Sequence, residues 1–344
     1  MSRRGQNGGH PPIDVVYLWV DGADPRWQAK RQRAFDEWLA EHPTELAVYG
    51  NVSGRFRDNG ELRFNLRALE RFFPDHGHVY VVTDAQVPDW LDAMAGITIV
   101  DHRDLIPPAS LPVFDSGHIE SYVHHIPGLA ERYFYLNDDI FFGAAVDPRQ
   151  WFGEQLTMAM ETCSVERSAD LQPTGTALVN ASKLSARWLA SMYPGYVHEW
   201  RLFAHSPRAF LRSAMYELER RACDLFREVR STRFRSWRIP PIVSDLAMRW
   251  MVQTGAARSI TLDPLYVSTG DDAAEAQFRE LRSRFGRLAF FCINDTSDDA
   301  SDNDRKLLRV ARVLEDLLPT PSSFELRSGH TTRASAARID ALAA

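Results

Sequence analysis

Apolar and polar positions in the early part of the chain repeat in one order: a short apolar run, a polar turn, then apolar residues at helical spacing. Residues 13–20 (IDVVYLWV) read as a strand, Asp21-Gly22-Ala23-Asp24-Pro25 as a turn and residues 26–41 as a helix. Leu62, Leu66, Leu69 and Phe73 keep helical spacing, and Pro74 stops that helix. Residues 78–83, 97–100 and 133–136 are further strands. Short helices are expected at 88–94 and 120–125, and a long Pro-rich loop over 101–118. Strands alternating with helices at this density predict an α/β fold with a mainly parallel, Rossmann-like sheet. Past Trp151 the pattern changes. Residues 182–192, 208–230 and 243–253 take helical spacing with few strands between them, which predicts a helix-rich portion over 180–255. Residues 1–12 read as a flexible lead and 319–344 as a poorly ordered tail, leaving 13–318 as a single domain.

Within this pattern, YFYLNDDIFFG at 133–143 sets two adjacent carboxylates, Asp138 and Asp139, inside an apolar stretch. Burying them unpartnered would cost several kcal/mol per charge, so a metal ion, a cationic side chain or a substrate donor is needed there. A strand ending in Asn137-Asp138-Asp139 at the carboxyl edge of an α/β sheet lies where such folds bind ligands. Paired aspartates at a strand end resemble the device by which sugar-nucleotide enzymes hold a divalent cation on a diphosphate, and Mg²⁺ and Mn²⁺ favour few carboxylates plus phosphate oxygens. The plainer reading is a β-turn, which the flanking aromatic residues make less comfortable.

Other segments carry weaker signals. Asp14 and Asp21 bracket the first strand, where carboxylates can accept bonds from a base or ribose and Trp19 can stack on a ring; the plain reading is a strand and a turn. Arg55, Arg57 and Arg63 surround Asp58 and Asn59 at a helix start, a natural place for phosphate oxygens and equally an ordinary N-cap. Glu120 and His124 are spaced to share a helix face but reproduce no zinc signature, so substrate positioning is the better role. His205 sits in a loop before a helix, where a general acid or base can project. Arg235, within Arg233-Phe234-Arg235-Ser236, offers a guanidinium clamp. Residues 290–295 form another apolar strand closing in a polar pair, Asn294 and Asp295.

Composition narrows the class. The apolar fraction of 44% and charged fraction of 25% are those of a globular protein, and a net charge of −6 argues against nucleic acid as a partner. Cys163, Cys223 and Cys292 are too far apart for a zinc site or disulfide framework, which fits a reducing, cytoplasmic setting. No run is long enough to span a bilayer, so any contact with the inner face of the cell membrane is peripheral.

In this order the segments resemble the Stealth family of sugar-phosphate transferases. The matching blocks are residues 13–27; 55–143, with RDNGELRFNLRALERF, VYVVTDAQVPDWL, ESYVHHIPGL and YLNDDIFFG; 205–250 more loosely; and FFCINDT at 290–296. The resemblance implies a nucleotide-diphosphosugar transferase-like fold. It also implies transfer of a hexose 1-phosphate from a donor such as UDP-N-acetylglucosamine to a saccharide hydroxyl, with release of a nucleoside monophosphate, in capsule or exopolysaccharide synthesis. Carried over residue by residue, it places Asp14 and Trp19 at the donor, Asp139, His205 and Arg235 in catalysis, and Asn294 and Asp295 on the fourth block's polar pair. Asp138, Asp139 and Asp295 are the expected ligands of Mg²⁺ or Mn²⁺. The departure Trp-Arg-Ile-Pro-Pro-Ile-Val-Ser after Arg235 leaves the choice among Arg233, Arg235 and Arg238 open. The rivals are a metal-dependent glycosyltransferase that releases UDP and an inactive nucleotide-sugar-binding protein.

Overall fold

The protein is described by a computed structural model over residues 11–92, 94–297 and 304–326. Its strands are β1 (Ile13–Leu18), β2 (Val79–Thr83), β3 (Ile97–Asp101), β4 (Arg132–Asn137), β5 (Ile140–Phe142), β6 (Leu156–Ser164), β7 (Arg201–Phe203), β8 (Arg208–Leu211), β9 (Ala257–Thr261), β10 (Leu265–Ser268) and β11 (Phe290–Asn294). The main sheet runs β3-β2-β1-β4-β8, parallel except for β8, which is antiparallel to β4. β1, β2 and β4 are almost wholly buried, which is why they read as continuous apolar runs and not as alternating ones. Two three-stranded sheets, β10-β11-β5 and β7-β6-β9, flank the main one.

Helix α1 (Pro25–Glu41) starts where Asp24 accepts a hydrogen bond from the Arg26 amide at 2.8 Å, with proline in its first turn. It buries Trp27 and Trp38 against Phe114 and Phe234 in a small satellite core. Helix α2 (Glu61–Phe72) turns Leu62, Leu66 and Leu69 into the principal core, which runs from β1 to the helix Arg305–Leu317.

The structure departs from the sequence pattern in four places. The described residues of 88–94 hold no helix; Leu91 instead bridges to Glu325. The loop expected at 101–118 contains the helix His102–Leu105, closed by a capping box between Asp101 and Asp104. The second half is less helical than its spacing suggests. Helices Ala177–Met192, Arg212–Arg221, Cys223–Val229 and Met248–Gln253 lie where expected, but β6 to β10 run among them. Short apolar runs such as Arg208–Leu211 carry too few residues for periodicity to separate strand from helix. Finally, residues 319–326 are docked: Phe324 is buried, the Leu326 amide donates to the Trp90 carbonyl, and Glu325 pairs with Arg67 Nε at 2.7 Å and Arg63 Nε at 2.5 Å. Ion pairs anchor this segment, so apolar periodicity carries no trace of it. Residues 1–10 of the expected lead (1–12) and the rest of the tail (327–344) lie outside the described residues, within which no helix is long and apolar enough to cross a membrane.

Candidate active site

A cleft opens at the carboxyl edge of the main sheet, lined by Trp19 beyond β1, Asn137 at the end of β4 with Asp138 and Asp139 beyond it, and Asn294 and Asp295 at the end of β11. β4 ends at Asn137 and β5 begins at Ile140, so Asp138 and Asp139 are the whole of the turn between two sheets. Asn65 of α2 fixes that turn, donating Nδ2 to the carbonyls of Asp138 at 3.0 Å and Ile140 at 2.5 Å while accepting from the Tyr17 hydroxyl at 3.1 Å.

The electrostatics of the turn are those of carboxylates short of a cation. Burial, then Asp139, Glu61 and Asp58, push the Asp138 carboxyl well above its usual range. Burial also raises Asp139, opposed by the Cys292 thiol, which donates to Oδ2 at 3.4 Å, and by Arg208 and Arg55. Asp139 Oδ1 has no hydrogen-bond partner among the described residues. Glu61 is driven up to about 8 by burial and by Asp58, although Asn59 donates to it through its amide at 2.5 Å and its Nδ2 at 2.8 Å. A hard divalent cation suits this donor set, because it would supply the charge that the carboxylates lack.

The same cleft also holds cationic groups. Burial and the positive charges of Arg208, Arg235 and Arg55 depress His205 to about 4, so its imidazole is neutral at neutral pH. Its ring lies 5.1 Å from that of Tyr266. Arg235 donates Nη2 to Ser116 Oγ at 2.5 Å, and its Nε lies 3.7 Å from Asp115. Arg233 and Arg238 turn instead to Glu37 and Glu45, so Arg235 is the arginine of that segment that lines the cleft. Burial beside Arg235 brings the Arg55 guanidinium down to about 9. Gly54 lets the Arg55 loop lie on the end of β11, since a Cβ there would sit 2.5 Å from the Asp295 carbonyl oxygen.

The structure brings Trp19, Arg55, Arg57, Glu120, Asn137, Asp138, Asp139, His205, Arg235, Asn294 and Asp295 together and leaves the other expected residues elsewhere. Asp14 lies at the amino end of β1, about 13 Å from Leu18 at the rise of a parallel strand. There it accepts from the His78 amide at 2.7 Å and the Ala130 amide at 2.8 Å, tying two loops together away from the cleft. Arg63 is outside the cleft with Glu325. Asp21 accepts from the Ala23 amide within its own turn, and Asp58 takes the Trp19 indole N–H at 3.1 Å, so that indole is committed and nearly closed to stacking. Asn59 serves Glu61 and Asp295. Asp295, an expected metal ligand, already accepts from Arg57, Asn59, Thr269 and the Ser297 amide, which occupy its lone pairs. Glu61, which the sequence pattern marks only as a helix start, stands beside Asp138 in its place.

His124 does not share a helix face with Glu120, because the helix Ser116–Glu120 ends before the 3₁₀ turn Val123–His125. Glu120 turns to the cleft and accepts from Ser244 Oγ at 2.7 Å. His124 and His125 instead meet Glu219 Oε2 at 2.6 and 2.7 Å, with Arg230 on the other oxygen. The three ligand atoms lie within 4.8 Å of one another. A metal on His124 Nε2 would force the ring proton onto Nδ1, which is buried with no acceptor among the described residues. The cluster is therefore a hydrogen-bonded ion group.

The parallel order and the acid-and-guanidinium cleft at its carboxyl edge define a Rossmann-like α/β protein with a polar ligand site. Family models for Stealth protein conserved regions 1, 2 and 4 match residues 11–34, 55–160 and 280–336, and the chain belongs to the Stealth family. It is 36% identical over 317 residues to an exopolysaccharide phosphotransferase of Streptomyces coelicolor, covering 91% of this chain and 52% of that one. A capsular polysaccharide phosphotransferase of Actinobacillus pleuropneumoniae is 33% identical over 210 residues, covering 60% and 54%. Exopolysaccharide phosphotransferase CpsY of Mycobacterium tuberculosis is 28% identical over 324 residues, covering 93% and 59%. The chain thus spans about half the length of these relatives. Among solved structures, the galactosyltransferase LgtC aligns over 90% of this chain and 98% of its own at 10% identity, with a TM-score of 0.41.

Proposed function

We propose that this cleft transfers a hexose 1-phosphate, N-acetylhexosamine 1-phosphate in the first instance, from a nucleotide diphosphosugar such as UDP-N-acetylglucosamine to a saccharide hydroxyl. The product is a phosphodiester in a capsule or exopolysaccharide. The observation that carries the reading is that Asp138 and Asp139 line one cleft together with Arg55, Arg235 and a neutral His205. Phosphoryl transfer asks for little beyond positioning and charge neutralisation, and these groups supply both. The names of the relatives support the same chemistry.

In this mechanism the acceptor oxygen attacks the sugar-bearing phosphorus and the bond to the nucleoside monophosphate breaks. The hydroxyl proton passes to the His205 imidazole, which burial keeps unprotonated, with Asp139 as the alternative base. Arg55 and Arg235 stabilise charge on the phosphoryl oxygens. Asp138 and Asp139, with Glu61 beside them, would hold Mg²⁺ or Mn²⁺, whose contribution is to neutralise the diphosphate. Peripheral action at the inner face of the cell membrane is part of this reading.

Incubation with a panel of nucleotide sugars, an oligosaccharide acceptor and Mg²⁺ or Mn²⁺ tests it. Release of UMP with a phosphorus-containing linkage is expected. Release of UDP would transfer the site to glycosyl-transfer chemistry, and binding without turnover would make the protein a nucleotide-sugar binder.

A further inference from the structure

Arg208 is 5% exposed, yet neither Nε nor Nη1 has a hydrogen-bond partner among the described residues. Its nearest carboxylate, Glu120, lies 3.9 Å from Nη1, too far for a hydrogen bond. The rest of its surroundings do not supply one either: the guanidinium sits 5.4 Å from the centre of the Tyr135 ring, its cross-strand neighbour. A buried arginine with idle donors is costly, and a fold that needed only an apolar plug there would do better with methionine or leucine. The side chain lines the cleft, and its charge reaches both Asp139 and His205.

We propose that Arg208 is a substrate-binding residue whose idle Nε and Nη1 donors, which face different ways, are completed by separate oxygens of bound substrate, at least one of them a phosphate oxygen of the donor's diphosphate. This rests on the phosphoryl-transfer reading above and adds to it a third guanidinium, supplied by an edge strand and independent of the Arg55 loop and the Arg235 segment. Glu120, 3.9 Å from Nη1, balances the charge of the group without satisfying its donors. The guanidinium holds its donors in one fixed plane, an arrangement that a single ammonium cannot copy.

Thermal melting of the full chain with and without pyrophosphate, for wild type, Arg208→Met and Arg208→Lys, tests this beside steady-state transfer. Pyrophosphate should raise the wild-type midpoint. Arg208→Met should melt no lower than wild type without ligand, lose the pyrophosphate shift, and lose about 10- to 100-fold in kcat/KM. Arg208→Lys should recover only part of either. If Arg208→Met keeps the shift and the turnover, the assignment is overturned while the phosphoryl reading stands. If both variants melt below wild type without ligand, Arg208 is a fold residue and the assignment also fails. A wild-type response to glucuronate but not to pyrophosphate places it on an acidic acceptor and overturns it. A wild type that ignores pyrophosphate and UMP alike and transfers nothing overturns the reading on which it rests.

Discussion

Arg57 and Asp295 meet with Nη1 2.5 Å from Oδ2, joining the loop before α2 to the end of β11 across most of the length of the chain. The pair closes one side of the cleft and leaves the Asp295 carboxylate fully engaged. The aspartates of the β4–β5 turn are in the opposite condition. Two acids lining one cleft therefore do different work.

That difference is measurable with Mn²⁺. Asp138→Asn should weaken Mn²⁺ binding by more than about tenfold, since even the outer partners of a metal ligand are worth that much. Asp295→Asn should leave Mn²⁺ affinity near wild type and instead loosen the loop around Arg57. Electron paramagnetic resonance titration of free Mn²⁺ reads the first effect, and proteolysis near residue 57 the second. Equal loss of Mn²⁺ affinity in both variants would return Asp295 to the ligand set.

Asp139→Asn and His205→Ala should each abolish transfer with melting unchanged, and near-wild-type rates in either would end the role assigned to it. The pH profile adds a sharper test of His205. An ordinary imidazole protonates near pH 6.5, whereas this one is held neutral to about pH 4. Its basic form should therefore persist as pH falls from 6.5 to about 5. A free-enzyme kcat/KM that drops through pH 6.5 with slope one would show that the working base is an unshifted imidazole.

Glu61 predicts a stability effect of opposite sign. Its folded value, about 8, exceeds the 4.5 of an ordinary glutamate. The neutral side chain therefore favours the fold at acid pH, and that advantage is lost as pH rises from 4.5 through about 8. Without divalent cations, Glu61→Gln should melt about 2–5 °C higher than wild type at pH 8 and match it near pH 5. Mn²⁺ should remove the gap by stabilising wild type more. A variant that melts lower at pH 8 contradicts the crowding of charge around Asp138.

Asp14 should behave as a fold residue. Asp14→Ala strips acceptors from the amides of His78 and Ala130, which should cost about 2–4 kcal/mol in urea unfolding. Nucleotide-sugar affinity of the folded fraction should be unchanged. Selective loss of donor binding at wild-type stability would bring Asp14 back to the ligand.

Glu325 gives a counterpart at acid pH. Arg67 is its first support against burial and Arg63 a further one, and they hold its carboxyl down to about 2. Its contribution is complete above pH 4.5 and is lost as pH falls from there to about 2. Glu325→Gln takes from the buried Arg67 its buried carboxylate partner, leaving only the half-exposed Glu315 at 3.3 Å, so at pH 7 it should destabilise the protein by about 3 kcal/mol. The difference from wild type should shrink towards pH 2.

Particular residues show how far the sequence could be read. β1, β2 and β4 were legible because a strand buried on both faces leaves an unbroken apolar run, and Asp138-Asp139 stood out because it interrupts one. Arg208 was not, since a four-residue edge strand running into a helix looks like the helix's first turn. Glu61 looked like an ordinary first-turn acid, and only the fold sets it beside Asp138. Asp14 and Asp21 show a limit of reading from sequence. An aspartate that accepts from nearby backbone amides has the same one-dimensional signature as one that waits for a ligand.

The turn at Asp138 and Asp139 has no spare length. Residues on one side are in register with β1 and β8, and those on the other with β11, so one inserted or deleted residue would displace a whole sheet by a side-chain position. A loop joined to the sheets at its ends alone can absorb a change of length. The span between these two sheets cannot, which makes it the fixed origin from which every other distance in the cleft is set.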